Sequence, residues 1–323
     1  MKARFLNRWV LLLLIFSVTF LGCNNDDDMS VLTDPIGDNN GGGDDDGGGP
    51  QSGTQGEITL YRVSGNDIQK IRDYQVSGQD IAYQNDVARH QQLWGFTKDV
   101  VPVAHRNKMN EFMIYNGSVT GSAGYVVQTK QDLSTWQMGL AINFADDQNE
   151  LLYTIIHEFG HILTLNDTQI DASVGSGSCS NYFPGEGCAK TDSYINKMHS
   201  LYWADIWEEF QNAQNDESAH QAFYVKYQDR FVTNYAATNP GEDIAEVFAT
   251  FVTRNNRPAG NTIAEKKILL MYDYPELVQL REYIRENLGS NRGRARSILP
   301  SPGSWKKANT LGNAKSSHCG HKH

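Results

Sequence analysis

The stretch LLYTIIHEFGHILTL, residues 151–165, constrains this chain more than any other. Leu152, Ile155, Ile156, Phe159 and Leu163 recur at helical spacing, which predicts a helix with a strongly apolar surround. The same helix carries His157, Glu158 and His161 in the order H-E-x-x-H. One turn apart, the two imidazoles leave the same face and can reach one ion. Glu158 stands beside that ion, where a carboxylate can take a proton from a polarised water and pass it on. Gly160 adds no bulk where the helix is expected to pack against a sheet.

Two histidines leave a metal site short of a ligand, and two residues compete to supply it. Asp167 stands where an extended H-E-x-x-H-x-x-G-x-x-H/D pattern places its third ligand, but that pattern turns on a glycine and this chain has Thr164. Glu242, in NYAATNPGEDIAEVF, fits better. Glu242 and Glu246 share one helix face, with Asp243 turned away. Glu242 would complete a His2Glu site for one Zn2+ and leave a position for water. Glu246, a turn further on, would accept the ring N–H of a ligand histidine, His157 being the best placed. Capping is the rival role for Glu242, because Asn239 can be an N-cap, Pro240 a first-turn proline and Glu242 the capping-box residue.

The surrounding pattern predicts an α+β fold in one domain. Runs at 57–63, 111–117, 124–129 and 136–144 read as strands, and 85–96 has helical character. In the last run Met138, Leu140, Ile142 and Phe144 alternate with Gln137, Gly139, Ala141 and Asn143. Beyond the H-E-x-x-H helix, further helices are expected at 192–213, 218–233, 240–254, 263–272 and 275–288. An N-terminal mixed sheet with helices, followed by a mostly helical C-terminal half and no internal repeat, is the expected architecture of residues 56–290.

The ends carry a different message. Lys2, Arg4 and Arg8 precede an apolar run too short to span a bilayer comfortably, so residues 1–22 read as a signal peptide. Phe20-Leu21-Gly22-Cys23 resembles the lipobox of bacterial lipoproteins, with Cys23 the lipidated residue and a lipid chain the only membrane attachment expected. Residues 23–55 are rich in Asp and Gly and lack Lys and Arg, the composition of an unfolded tether. The Asp run after Cys23 resembles the acidic export signal of surface-exposed lipoproteins in Bacteroides-like bacteria. Residues 291–323 read as a basic flexible tail, ending in His318, Cys319, His321 and His323. With the ends set aside the body is mildly acidic, which gives no case for nucleic acid. Cys179 and Cys188, in a Gly- and Ser-rich loop of an exported chain, suggest a disulfide.

Taken together, HEFGH and NYAATNPGEDIAE resemble the gluzincin metallopeptidases, especially the lethal-factor-like and Pro-Pro endopeptidase group. That resemblance implies a zincin-like catalytic domain, a peptide or protein substrate, and for Tyr235, seven residues before Glu242, a hydrogen bond to the oxyanion. It also implies that the strand before the active-site helix, at 136–144, lines the cleft and holds an extended peptide by strand addition. The whole-chain layout is similar to the substrate import-associated zinc metallohydrolase lipoproteins of the bacterial outer membrane. By that resemblance the chain would face the cell surface or the periplasm, beside a TonB-dependent receptor and SusD-like partners. Two alternatives stay open from sequence: a zinc hydrolase acting on a glycan or ester, and a non-catalytic binding lipoprotein. Glu158 speaks against the second, since a structural zinc needs no base beside it and is usually closed by four protein ligands.

Overall fold

The computed structural model describes residues 53–289 and 298–300. The signal peptide, Cys23, the acidic tether and the tail cluster at His318, Cys319, His321 and His323 lie outside the described residues. Among the described residues no helix is long and apolar enough to cross a membrane.

The fold is α+β, with the sheet built first. Strands β1 (Glu57–Ser64) and β2 (Asp67–Asp73) form a hairpin that turns through Gly65 at φ +61°. Helices α1 (Asp80–Asn85) and α2 (Val87–Val100) follow, then β3 (Met109–Tyr115), β4 (Gly124–Gln128) and β5 (Trp136–Ala141). The strand order is β2-β1-β3-β5-β4, with β3 and β5 parallel and the other neighbours antiparallel. Alternation on β3 sends Phe112 and Ile114 into the main core and Met113 and Tyr115 to the opposite face. That second face is covered by a small aromatic cluster of Tyr74, Tyr125 and Phe144. The alternation expected on β5 therefore ends early: Ile142–Phe144 is a 3-10 turn, and Gly139 is buried because the Tyr125 ring lies directly over it.

Helix α3 (Gln148–Leu165) crosses the other face of the sheet, and every residue from Leu151 to Leu165 is buried. Asp147 caps its first turn by accepting from the Asn149 and Glu150 amides, and Asn166 closes its end through bonds to the Ile162 and Leu163 carbonyls. A short pair, β6 (Ile170–Asp171) and β7 (Cys188–Ala189), brackets the loop between them. The expected helix at 192–213 is two helices, α4 (Tyr194–Tyr202) and α5 (Trp207–Ala213). The break falls at Trp203, whose indole N–H is drawn to Asp243 Oδ2 at 2.7 Å. Helix α6 (Glu217–Lys226) stops short of the expected boundary and passes into a 3-10 turn.

Helix α7 (Pro240–Thr253) packs along α3, followed by α8 (Ile263–Met271) and α9 (Pro275–Leu288). Gly160 serves this helix pair rather than the sheet: a Cβ there would stand 3.2 Å from Ala245 Cα and 3.3 Å from the Phe248 ring. Arg281 and Arg285 of α9 donate to the Phe251 and Val252 carbonyls, satisfying the C-terminal end of α7. Ile298 and Leu299, expected in the tail, pack against the core, and the Ile298 amide donates to Leu288.

Candidate metal centre

Helices α3 and α7 bring together side chains that stand far apart in sequence. His157 Nε2 lies 3.1 Å from Glu242 Oε2 and 3.0 Å from His161 Nε2, and His161 Nε2 lies 3.3 Å from Glu242 Oε2. All three residues are essentially sealed from solvent. The histidine Nδ1 of His157 faces Glu246 Oε1 at 2.8 Å. Glu246 is held in turn by the Thr233 hydroxyl at 2.7 Å and the Tyr153 hydroxyl at 3.4 Å.

Ligand-type atoms this close together could hold a metal ion or a proton. With its Nδ1 proton given to Glu246, a neutral His157 turns a lone pair toward the Glu242 carboxylate, and two acceptors at 3.1 Å repel. A proton would relieve this repulsion in one way. Burial opposes charge on His157, but Glu242 and Glu246 together raise its pKa to about 10. A metal ion would relieve it in another. Tetrahedral zinc with ligands near 2.0–2.2 Å places them about 3.3 Å apart, close to the three separations found here. His161 Nδ1 is buried without a hydrogen-bond partner, so the orientation of that ring is set by its Nε2 side. The donor set, two imidazoles and one carboxylate, suits zinc and leaves room for a fourth ligand.

The cap at the start of α7 comes from Asn239 and does not occupy the Glu242 carboxylate. Asn239 Oδ1 accepts from the Glu242 amide at 2.9 Å and Pro240 opens the helix, while the Glu242 side chain turns to the histidines. Asp243 does turn away, into a buried pair with Lys267 Nζ at 2.5 Å. Asp167 is not brought to the centre. Helix α3 runs on through Thr164, whose hydroxyl bonds the Gly160 carbonyl, so the chain makes no sharp turn there. Asp167 pairs instead with Lys108 at 2.5 Å.

Glu158 is fully buried, and burial, reinforced by Glu242 and Glu246 and opposed by His157, pushes its pKa up to about 8. It faces strand β4, where a Cβ on Gly124 would stand 3.1 Å from its Cγ. The strand beside the centre is thus β4. Strand β5, expected to hold a peptide, is hydrogen-bonded on both sides and has no edge to offer, whereas β4 ends the sheet. Tyr235 begins a buried 3-10 turn, its ring 5.9 Å from that of His157.

Cys179 and Cys188 are joined in a disulfide with Cα atoms 5.3 Å apart. The loop they close forms one wall of a cavity of about 190 Å³ that is lined on another side by His161 and Glu242. Sequence reasoning missed Tyr153, Thr233 and Gly124. Tyr153 had a signal, lying one turn before His157 on the same helix, but Gly124 had none without the strand order. No known family model, curated protein or solved structure matches the chain.

Proposed function

We propose that this chain is a zinc-dependent metallopeptidase with a zincin-like domain. The observation that carries the reading is the convergence of His157, His161 and Glu242 at near-tetrahedral spacing, with a buried Glu158 next to a ligand on the same helix. When bound, zinc would polarise a water and the scissile carbonyl. Glu246 holds the His157 ring in one tautomer, so that Nε2 keeps its lone pair for the ion. Glu158 takes the proton of the attacking water and delivers it to the leaving amine, a role that its place beside the ligand His157 on the same helix suits. Tyr235, beside His157, donates its phenol hydrogen to the oxyanion. Strand β4 offers an edge to which an extended peptide can add.

The signal-like first residues, Cys23 and the acidic tether support an outer-membrane lipoprotein facing the cell surface. The layout's similarity to import-associated metallohydrolase lipoproteins supports a TonB-dependent receptor and SusD-like partners. The test is cleavage of a diverse peptide library by the purified mature chain, read by mass spectrometry beside Glu158→Gln. Cuts that vanish in the variant support the peptidase. Zinc-loaded protein that cuts nothing would shift the reading to a glycan or ester substrate.

A further inference from the structure

Glu246 can keep the His157 ring in place only if its own carboxylate is kept in place. Its two oxygens divide the work. Oε1 lies 2.8 Å from His157 Nδ1, while Oε2 accepts from the Thr233 hydroxyl at 2.7 Å and the Tyr153 hydroxyl at 3.4 Å. A carboxyl group held at one oxygen alone swings about its terminal bond, because such sp3–sp2 torsions are broad. A second hold at Oε2 stops the swing. Of the two hydroxyls Thr233 is the closer, inside the roughly 2.5–3.0 Å usual for O–H···O bonds, whereas Tyr153 stands outside that range.

The Thr233 donor is aimed by its own surroundings. Its oxygen accepts from the Ala236 amide at 3.1 Å, and its hydrogen goes to Glu246, since a carboxylate only accepts. The backbone that carries it is anchored on both sides. Phe231 packs against Trp203 with ring centres 5.3 Å apart, and Ala236 and Ala237 are fully buried in the same cluster. Thr233 stands 13 residues before Glu246, on a segment outside both α3 and α7, so a third part of the chain reaches the centre.

Two roles fit such a hydroxyl. As a cap it would only close the turn at Tyr235–Ala237, a local bond that threonine hydroxyls often make. As a support it would act through Glu246 on the His157 ring, and so on the lone pair that Nε2 offers to an ion. Capping needs only the bond from Ala236. The short bond to a fully buried carboxylate is extra, and it favours support. A buried carboxylate oxygen that loses such a donor still bears its desolvation cost, so the bond matters to the group it holds.

We infer that Thr233 is a positioning residue of the metal centre: its hydroxyl holds the Glu246 carboxylate, which holds the His157 ring for the ion. The inference rests on the reading of His157, His161 and Glu242 as zinc ligands, but not on any peptide being cut. Zinc affinity is measured by competition with a chelator for the wild-type chain, Thr233→Val, Thr233→Ser, Glu246→Ala and the double variant Thr233→Val/Glu246→Ala. Thr233→Val keeps the shape of the side chain and removes the hydroxyl. It should weaken zinc binding about tenfold, the low end of the range for groups that support a metal ligand. Thr233→Ser keeps the hydroxyl and should stay near the wild type. In the Glu246→Ala chain the same Thr233→Val change should cost nothing further, because the carboxylate through which it acts is gone. A capping role predicts the opposite, a loss that persists without Glu246. Thr233→Ala compared with Thr233→Ser tests the hydroxyl without the methyl group, and decides the matter if Thr233→Val does not fold. Wild-type affinity in Thr233→Val, an equal loss in Thr233→Ser, or a loss that survives in the Glu246→Ala chain overturns the inference and leaves the metal centre standing. A wild-type chain that binds no zinc overturns both.

Discussion

Gly124 leaves no room for a side chain between strand β4 and the Thr154 and Glu158 side chains of α3. A methyl group there would stand 2.6 Å from Thr154 Cγ2 and 3.1 Å from Glu158 Cγ, and Thr154 is anchored by a bond to the Glu150 carbonyl. Gly124→Ala should displace Glu158 and lower peptide turnover about 10- to 100-fold, as small misplacements of a reacting group do. Zinc content should stay at the wild-type level, measured on the same preparation. His199 makes a separate prediction about pH. Burial lowers its pKa from 6.5 to about 4, so the folded protein favours the neutral ring. Its contribution to stability is complete above pH 6.5 and is lost as pH falls from about 6.5 to about 4, because the unfolded chain takes up the proton first. Urea midpoints across that range should fall less steeply for His199→Phe than for wild type. At this scale the sequence was most readable where spacing alone places side chains, as with His157, His161, Glu242 and Glu246. It was silent on Gly124 and Thr233, whose roles depend on partners brought close by the fold.

Among the elements, the contact of α3 with α7 carries the site, and α8 fixes α7 from behind. Lys267 on α8 is completely buried against Asp243, its ammonium 4.4 Å from the Phe231 ring centre, and the Trp203 indole shares the same carboxylate. Burial raises the Asp243 pKa and lowers that of Lys267, and each partner counteracts the other's shift. Removing one member leaves a buried charge alone. Lys267→Met should therefore destabilise the fold by about 3–5 kcal/mol, measured by urea unfolding, and Asp243→Asn added to it should recover part of the loss. Helix boundaries were legible where caps mark them, as at Asn239-Pro240. The break at Trp203 was not, because a tertiary hydrogen bond causes it. Strand β2 was missed for a related reason: it lies at the sheet edge with only Ile68 buried, so it carries little period-2 signal.

For the whole molecule, strands first and helices later was enough to indicate an α+β fold, and the structure bears that out. The order β2-β1-β3-β5-β4 was not legible, since alternation tells which residues face the core but not which strands are neighbours. That order matters for the site, because it puts β4 rather than β5 at the open edge beside Glu158. The central claim is that one chain assembles one zinc centre from two helices. It is tested most directly by competition titration of zinc against a chelator, comparing the wild-type chain with Glu242→Ala. The prediction is one ion per chain in the wild type and affinity weakened more than about 100-fold in the variant, beyond the loss usual for a group that merely supports a ligand. A wild-type chain that binds no zinc, or a Glu242→Ala chain that holds it as tightly, would contradict the account.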